Sequence, residues 1–380
     1  MKSKLHSYLT TALDLFAGAG GLTCGTRWAG LQVVQAIESN PHAGSTYAQN
    51  NPEVDLVVAD IRTLDPRKCL GRLGMVPGEI DVIVAGPPCQ GFSESNRRTR
   101  TLANPKNQFY REVLRFAAAI RPKCLIIENV AGLLTLAQGT VLKSIIQGCC
   151  SLGYNVEWKV LCAADYGVPQ IRKRIFIVCW RLPIGATLPL PTHGQLESPY
   201  VNVRDAIDDL PVLRNGASID NRPYRRSDNL SSFQRRMRGA VGDRSFVNGN
   251  LVTRNSDLIL ERYRHIGPGH NWESIPDALL ANYKDVTRCH TGIYYRLIWH
   301  QPSKVLGNFR KNMLIHPSQH RGLSVREAAR LQSFPDSYEF AGSVGFQQQQ
   351  VADAVPPLLA TAVVEHAMRA HIRAHCGGAT

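Results

Sequence analysis

The chain has 380 residues, 44% of them hydrophobic, enough for one large or two ordinary globular domains. No apolar run approaches the roughly 18 residues that span a bilayer, and MKSKLHSYLTTALDLF carries no signal-peptide core, so a cytoplasmic protein without a membrane partner is expected. A net charge of +14 points to a polyanion, nucleic acid first, while ten scattered cysteines with no CxxC pair signal no metal site.

Strand-like apolar runs follow one another at 11–16, 33–38, 54–60, 80–86, 123–130, 157–163 and 174–180. Segments of helical length separate several of them, such as NQFYREVLRFAAAI and GTVLKSIIQGCCSLG. That alternation predicts an α/β fold with a doubly wound, mostly parallel sheet. Ligands of such sheets bind beyond the carboxyl ends of the strands.

The first strand runs into DLFAGAGGLT (14–23). Gly18, Gly20 and Gly21 let the backbone turn tightly and approach a ligand at a helix N-terminus. Glu38 follows 20 positions after Gly18, where a carboxylate can take ribose hydroxyls. A dinucleotide fingerprint fails because Thr23 stands three positions after Gly20, and no P-loop is present. S-adenosylmethionine is the nucleoside-bearing cofactor that remains, with a purely structural tight turn as the alternative.

Further on, AGPPCQGFS (85–93) sets Cys89 among small and ring-constrained residues directly after an apolar strand. A buried structural thiol needs no such cradle, whereas a nucleophile must be held at a fixed, accessible point. Prolines at 183, 189, 191 and 199 mark a change of texture. The reading is therefore a cofactor-binding and catalytic domain over 1–185, a smaller irregular domain over 186–345, and a C-terminal segment over 346–380. Within NRPYRRSDNLSSFQRRMR (221–238) six arginines face a single aspartate, a composition suited to phosphate and base contact. Helical periodicity returns at VREAARLQ (325–332) and after the prolines of AVPPLLATAVVEHAM.

Taken in order, DLFAGAGG, GPPCQGFS, IIENV, DYGVPQIRKR and REAARLQSFPD resemble the motif series of the DNA (cytosine-5) methyltransferases, prokaryotic or phage type. The resemblance covers 11–180 and about 318–360. It implies transfer of a methyl group from S-adenosyl-L-methionine to carbon 5 of cytosine in double-stranded DNA. It also implies a monomer associated with the nucleoid through DNA, and it leaves open a separately acting restriction endonuclease.

By resemblance Cys89 is the nucleophile that adds to carbon 6, and Glu128 serves ring nitrogen 3, its carboxyl kept protonated by burial. Asn129 is read as fixing the loop around Glu128, with a purely structural capping role as the alternative. Arg172 and Arg174, alternating in QIRKR, are expected to share one strand face near the base, with Arg174 the more direct contact. Phe16, Ala17, Gly18, Gly20, Gly21, Leu22, Glu38, Asp60, Ile61 and Gly86 would surround the cofactor. Asp353 and Ala354 would lie at its methionine end. There the family has Gly-Asn before Ala-Val-Pro-Pro and this chain has Ala352 and Asp353, a change expected to weaken cofactor binding. The loop after Cys89 supplies Ser93, Ser95, Arg97 and Arg98 to DNA, and the middle region supplies Arg235, Arg236 and Arg238.

Three other readings compete with this one. The family branch acting on transfer RNA carries a Cys-Phe-Thr tripeptide that is absent here. A non-enzymatic paralogue would not need Cys89, Glu128 and both arginines together. A cysteine hydrolase would need a histidine base beside Cys89, and no histidine stands at a strand end near it.

Overall fold

The computed structural model describes residues 11–88, 108–135, 139–181, 187–194, 198–227, 229–239, 246–283, 292–311 and 313–376. Two compact units emerge. One comprises Met1–Cys162, Lys173–Pro191 and Val355–Thr380; the other comprises Ala163–Arg172 and Thr192–Ala354.

The first unit opens with β1 (Thr11–Leu15), α1 (Gly21–Trp28), β2 (Gln32–Glu38), α2 (Pro41–Asn50), β3 (Asp55–Val58) and α3 (Pro66–Arg72). It continues with β4 (Val82–Ala85), α4 (Tyr110–Ile120), β5 (Cys124–Val130), α5 (Thr140–Ser151), β6 (Asn155–Cys162) and β7 (Lys173–Trp180). Each predicted strand is present. They form one seven-stranded sheet in the order β3-β2-β1-β4-β5-β7-β6, parallel from β3 to β5, with β7 antiparallel to both its neighbours. Strand β4 and the first four residues of β5 read as apolar runs because helices cover both faces of a sheet of this kind. Val82 to Ala85 and Cys124 to Ile127 are fully buried.

Local chemistry sets the helix starts. Asn40 accepts from the His42 and Ala43 amides ahead of Pro41, and Asp65 accepts from Arg67 N ahead of Pro66.

The second unit contains α6 (Val203–Ile207), β8 (Arg222–Pro223), α7 (Ser232–Arg238), β9 (Phe246–Val247) and α8 (Asp257–Arg264). After these come α9 (Asp277–Leu280), α10 (Val325–Leu331) and α11 (Val344–Asp353). Strands β8 and β9 make a two-stranded ladder. Helix α10 starts on a reciprocal cap between Ser324 and Glu327.

The last helix, α12 (Pro357–Cys376), belongs to the first unit and packs along α1. Their approach is backbone to backbone at Gly25. A Cβ there would stand 2.5 Å from both Ala360 Cβ and the Pro357 carbonyl oxygen. Among the described residues no helix is long and apolar enough to cross a membrane.

Candidate active site

The turn after β1 is built on unusual backbone. Phe16, Gly18 and Gly20 have φ of +61°, +56° and +89°, a region that costs energy for a side chain as large as phenylalanine. Glu38 at the end of β2 holds the turn: Gly18 N donates to one carboxylate oxygen at 2.8 Å and Asn40 N to the other at 2.6 Å. Ala17 N donates to the Ile37 carbonyl at 3.0 Å. Gly20 then starts α1 with no side-chain cap, so the first-turn amides of Gly21 and Leu22 have no partner within the helix. Nothing lies within 4 Å of the point a Gly18 Cβ would occupy. The result is an open cradle of amide donors beside a carboxylate.

Around it, the Phe16 ring meets Phe109 edge-on at 5.5 Å, and the Arg62 guanidinium lies 5.3 Å from the Phe109 centroid. Asp60 caps the short turn Ile61–Thr63 by accepting from Arg62 N at 3.0 Å. It also takes a two-pronged ion pair from the same arginine, and that side-chain bond holds its carboxyl below the usual range. Ile61 is buried beneath.

One residue here escaped the sequence reading. Asp14 is a carboxyl inside the first apolar run and is wholly buried. Its Oδ2 accepts from Thr23 Oγ1 at 2.6 Å, and Thr23 Oγ1 is 2.8 Å from Tyr47 OH. Its Oδ1 has no hydrogen-bond partner among the described residues. Burial pushes the Asp14 carboxyl up to about 7; Thr23 opposes the rise and the nearby Glu38 charge adds to it. The available signal was a lone acidic residue within TALDLF, a polar side chain in a fully buried strand.

At the next strand ends, β4 and β5 run side by side with Ala85 opposite Ile127. The chain leaving β4 therefore passes the carboxyl end of β5. A Cβ on Gly86 would lie 3.7 Å from Glu128 Oε2. Asn129 Nδ2 donates to the Pro87 carbonyl at 3.3 Å, and Asn129 Oδ1 accepts from Val130 N at 2.8 Å. From β7, Arg174 Nε reaches Glu128 Oε1 at 2.9 Å, with both side chains nearly buried. Cys89, two residues beyond Pro87, lies outside the described residues, as do Ser93, Ser95, Arg97 and Arg98.

Strand β7 begins at Lys173, and Arg172, 2% exposed, donates to the carbonyls of Leu306, Ala352 and Ala354 within the second unit. In the same unit Ala352 lies inside α11 and is not among the positive-φ residues. Alanine there is unstrained. The Asp353 carboxylate accepts from Gln349 Nε2 at 2.8 Å, and Ala354 is buried.

The three arginines of α7 also differ from one another. Arg235 and Arg236 are exposed. Arg238 instead donates to Asp209 at 2.8 Å and stacks over the Tyr224 ring at 3.8 Å.

Comparison with known proteins agrees with this arrangement. The family model of the C-5 cytosine-specific DNA methylases matches residues 10–369. The Type II methyltransferase M1.HphI of Haemophilus parahaemolyticus is 35% identical, over 97% of this chain and 89% of the relative. Type II methyltransferase M.DdeI of Desulfomicrobium norvegicum is 32% identical over 93% and 87%. A solved E. coli structure, described as a candidate DNA modification methyltransferase encoded within a prophage, superposes with a TM-score of 0.75 at 25% identity, covering 94% of this chain and 98% of its own. A seven-stranded sheet of this order, a Gly-loop clamped by Glu38 and a match over nearly the whole length lead to one conclusion: the chain belongs to the C-5 cytosine-specific DNA methylases and is a DNA (cytosine-5)-methyltransferase.

Proposed function

We propose that the enzyme methylates cytosine within a specific double-stranded DNA sequence, using S-adenosyl-L-methionine, through a covalent Cys89–cytosine adduct and with the target base rotated out of the helix. The observation that carries this is the Glu128–Arg174 pair at 2.9 Å, set beside Gly86 and Pro87 immediately before Cys89.

The first-unit residues fit the cofactor. The uncapped start of α1 offers amides to a carboxylate, Glu38 offers oxygens to ribose hydroxyls, and the space at Gly18 admits a close approach. Phe16, Ala17, Asp60, Ile61 and Gly86 complete the proposed first-unit set, and Asp353 and Ala354 are proposed for the methionine end. When bound, S-adenosylmethionine supplies an electrophilic methyl group.

Cytosine carbon 5 is too poor a nucleophile to take that group unaided. Addition of the Cys89 sulfur to carbon 6 turns the 5,6 double bond into an electron-rich centre at carbon 5. Charge then develops toward ring nitrogen 3, where Glu128 supplies a proton or a strong hydrogen bond. Arg174 orients Glu128 by holding Oε1 and meets charge on the base. Once carbon 5 is methylated, loss of its proton expels Cys89. A base stacked in a duplex must leave the stack to meet these groups.

Ser93, Ser95, Arg97 and Arg98 are proposed to close on the DNA, with Arg235 and Arg236 on phosphates. A monomer suffices for this chemistry, and the names of the Type II relatives suggest a separately acting endonuclease.

Cys89→Ser should abolish methyl transfer while leaving DNA binding in place. Wild-type enzyme should form an SDS-stable adduct with 5-fluorocytosine DNA, because fluorine blocks the final elimination. An unchanged protein mass after that incubation, under conditions that methylate ordinary DNA, would overturn the covalent route.

A further inference from the structure

We propose that cofactor binding is proton-linked through Asp14: the empty site holds Asp14 as the neutral acid below neutral pH, the occupied site holds it as the carboxylate, and up to one proton leaves to solvent for each S-adenosylmethionine bound. The inference rests on the cofactor reading above and deepens it.

Its basis is geometric. Asp14 is wholly buried at the end of β1, tied through Thr23 to the first turn of α1 and through Thr23 to Tyr47 of α2. All three side chains are buried. Among the described residues Thr23 alone donates to the carboxyl, through its hydroxyl and its backbone amide, and Oδ1 has no partner there. The charged group facing Asp14 is Glu38 on β2, and its sign is wrong for pairing. A carboxylate under those conditions is penalised by burial with little to offset it, so the empty site favours the acid. The same carboxyl stands behind the Gly18–Leu22 turn that is read as the cofactor cradle. The cofactor carries a net positive charge, an ammonium and a sulfonium against one carboxylate that the α1 amides would take up, and net positive charge brought there favours the ionised form by the same rule. The proton is the only species released, and it passes to buffer.

Calorimetric titration of wild-type enzyme with S-adenosylmethionine, in two buffers of different ionisation enthalpy, counts that proton. At pH 6 nearly one proton should be released and affinity should be about tenfold below that at pH 8, where release should be small. The amino group of the cofactor titrates with either protein, so the Asp14→Asn variant supplies the reference. It should release about one proton fewer at pH 6 and lose the affinity difference. Thr23→Val keeps the carboxyl but removes its hydroxyl donor, so more release than in the wild type should persist at pH 8. Binding without a difference in proton count between wild type and Asp14→Asn overturns the proposal and leaves the cofactor reading intact. No binding at either pH overturns both.

Discussion

The two units are held together by different means. In the first, a continuous apolar core built from Leu13, Ile83, Leu125, Phe116, Ile177 and their neighbours lies against the sheet. The second also buries apolar side chains, with one cluster around Tyr263, Ile266, Tyr294 and Ile315, and adds buried arginines that join its segments. Arg262, Arg321, Arg326 and Arg330 rank among its largest fully buried side chains. Arg330 pairs with both Asp209 and Asp336 and donates to the Ala206 carbonyl. Arg296 reaches the carbonyls of Tyr263, Ile266, His316 and Gln319. A planar guanidinium with five donors can satisfy several irregular carbonyls at once. A region with little regular ladder therefore closes its backbone hydrogen bonds through side chains.

The sharpest break of that comparison is Arg330→Met. Removing the shared partner of a buried network leaves Asp336 with Tyr224 and a distant Arg326, and Asp209 with Arg238 alone, and the loss should be about 3 kcal/mol. Urea unfolding would measure it, and a loss below about 1 kcal/mol would show that the arginines fill space rather than join segments.

Acid should then pull the two units in opposite directions. In the second, burial pushes His316 down to about 4. Between pH 6.5 and 4 the unfolded chain takes up a proton that the folded chain refuses, so stability falls on acidification. In the first, the Asp14 carboxyl sits at about 7 when folded against 3.8 unfolded. Between pH 7 and 3.8 the folded chain holds the extra proton, so stability rises on acidification. Each group contributes a slope of at most about 1.4 kcal/mol per pH unit. Unfolding of cofactor-free enzyme at pH 5, 6 and 7 should show Asp14→Asn losing more stability in acid than wild type and His316→Gln losing less.

A smaller effect tests close packing in the first unit. Alanine is the better helix former by about 1 kcal/mol, yet Gly25→Ala should destabilise by about 1–3 kcal/mol, because its methyl group would press on α12. A rise in melting temperature would contradict the contact between α1 and α12.

The smallest concerns the surface of α7. Arg235→Gln with Arg236→Gln should reduce the slope of log affinity for DNA against log salt by roughly 0.9 for each phosphate no longer neutralised. Arg238→Gln should leave that slope unchanged and lower stability instead, since its partner is Asp209. Equal effects on the slope from all three would restore the equivalence that the sequence suggests.

What the sequence by itself determined is the local part. Seven strands, the Gly-loop, Glu38 at the end of β2 and Glu128 at the end of β5 are legible because strand burial and strand ends leave patterns within a few residues. The partners are another matter. Arg172 reads as a neighbour of Arg174, but it meets carbonyls more than 130 positions away. Arg238 looks like its neighbours until Asp209 is brought beside it. Asp14 is one acidic letter in TALDLF, and only the packing of α1 and α2 against β1 leaves it buried with an unsatisfied oxygen. Periodicity is written along the chain, whereas charge pairing and desolvation depend on which distant atoms arrive, and tertiary structure alone decides that.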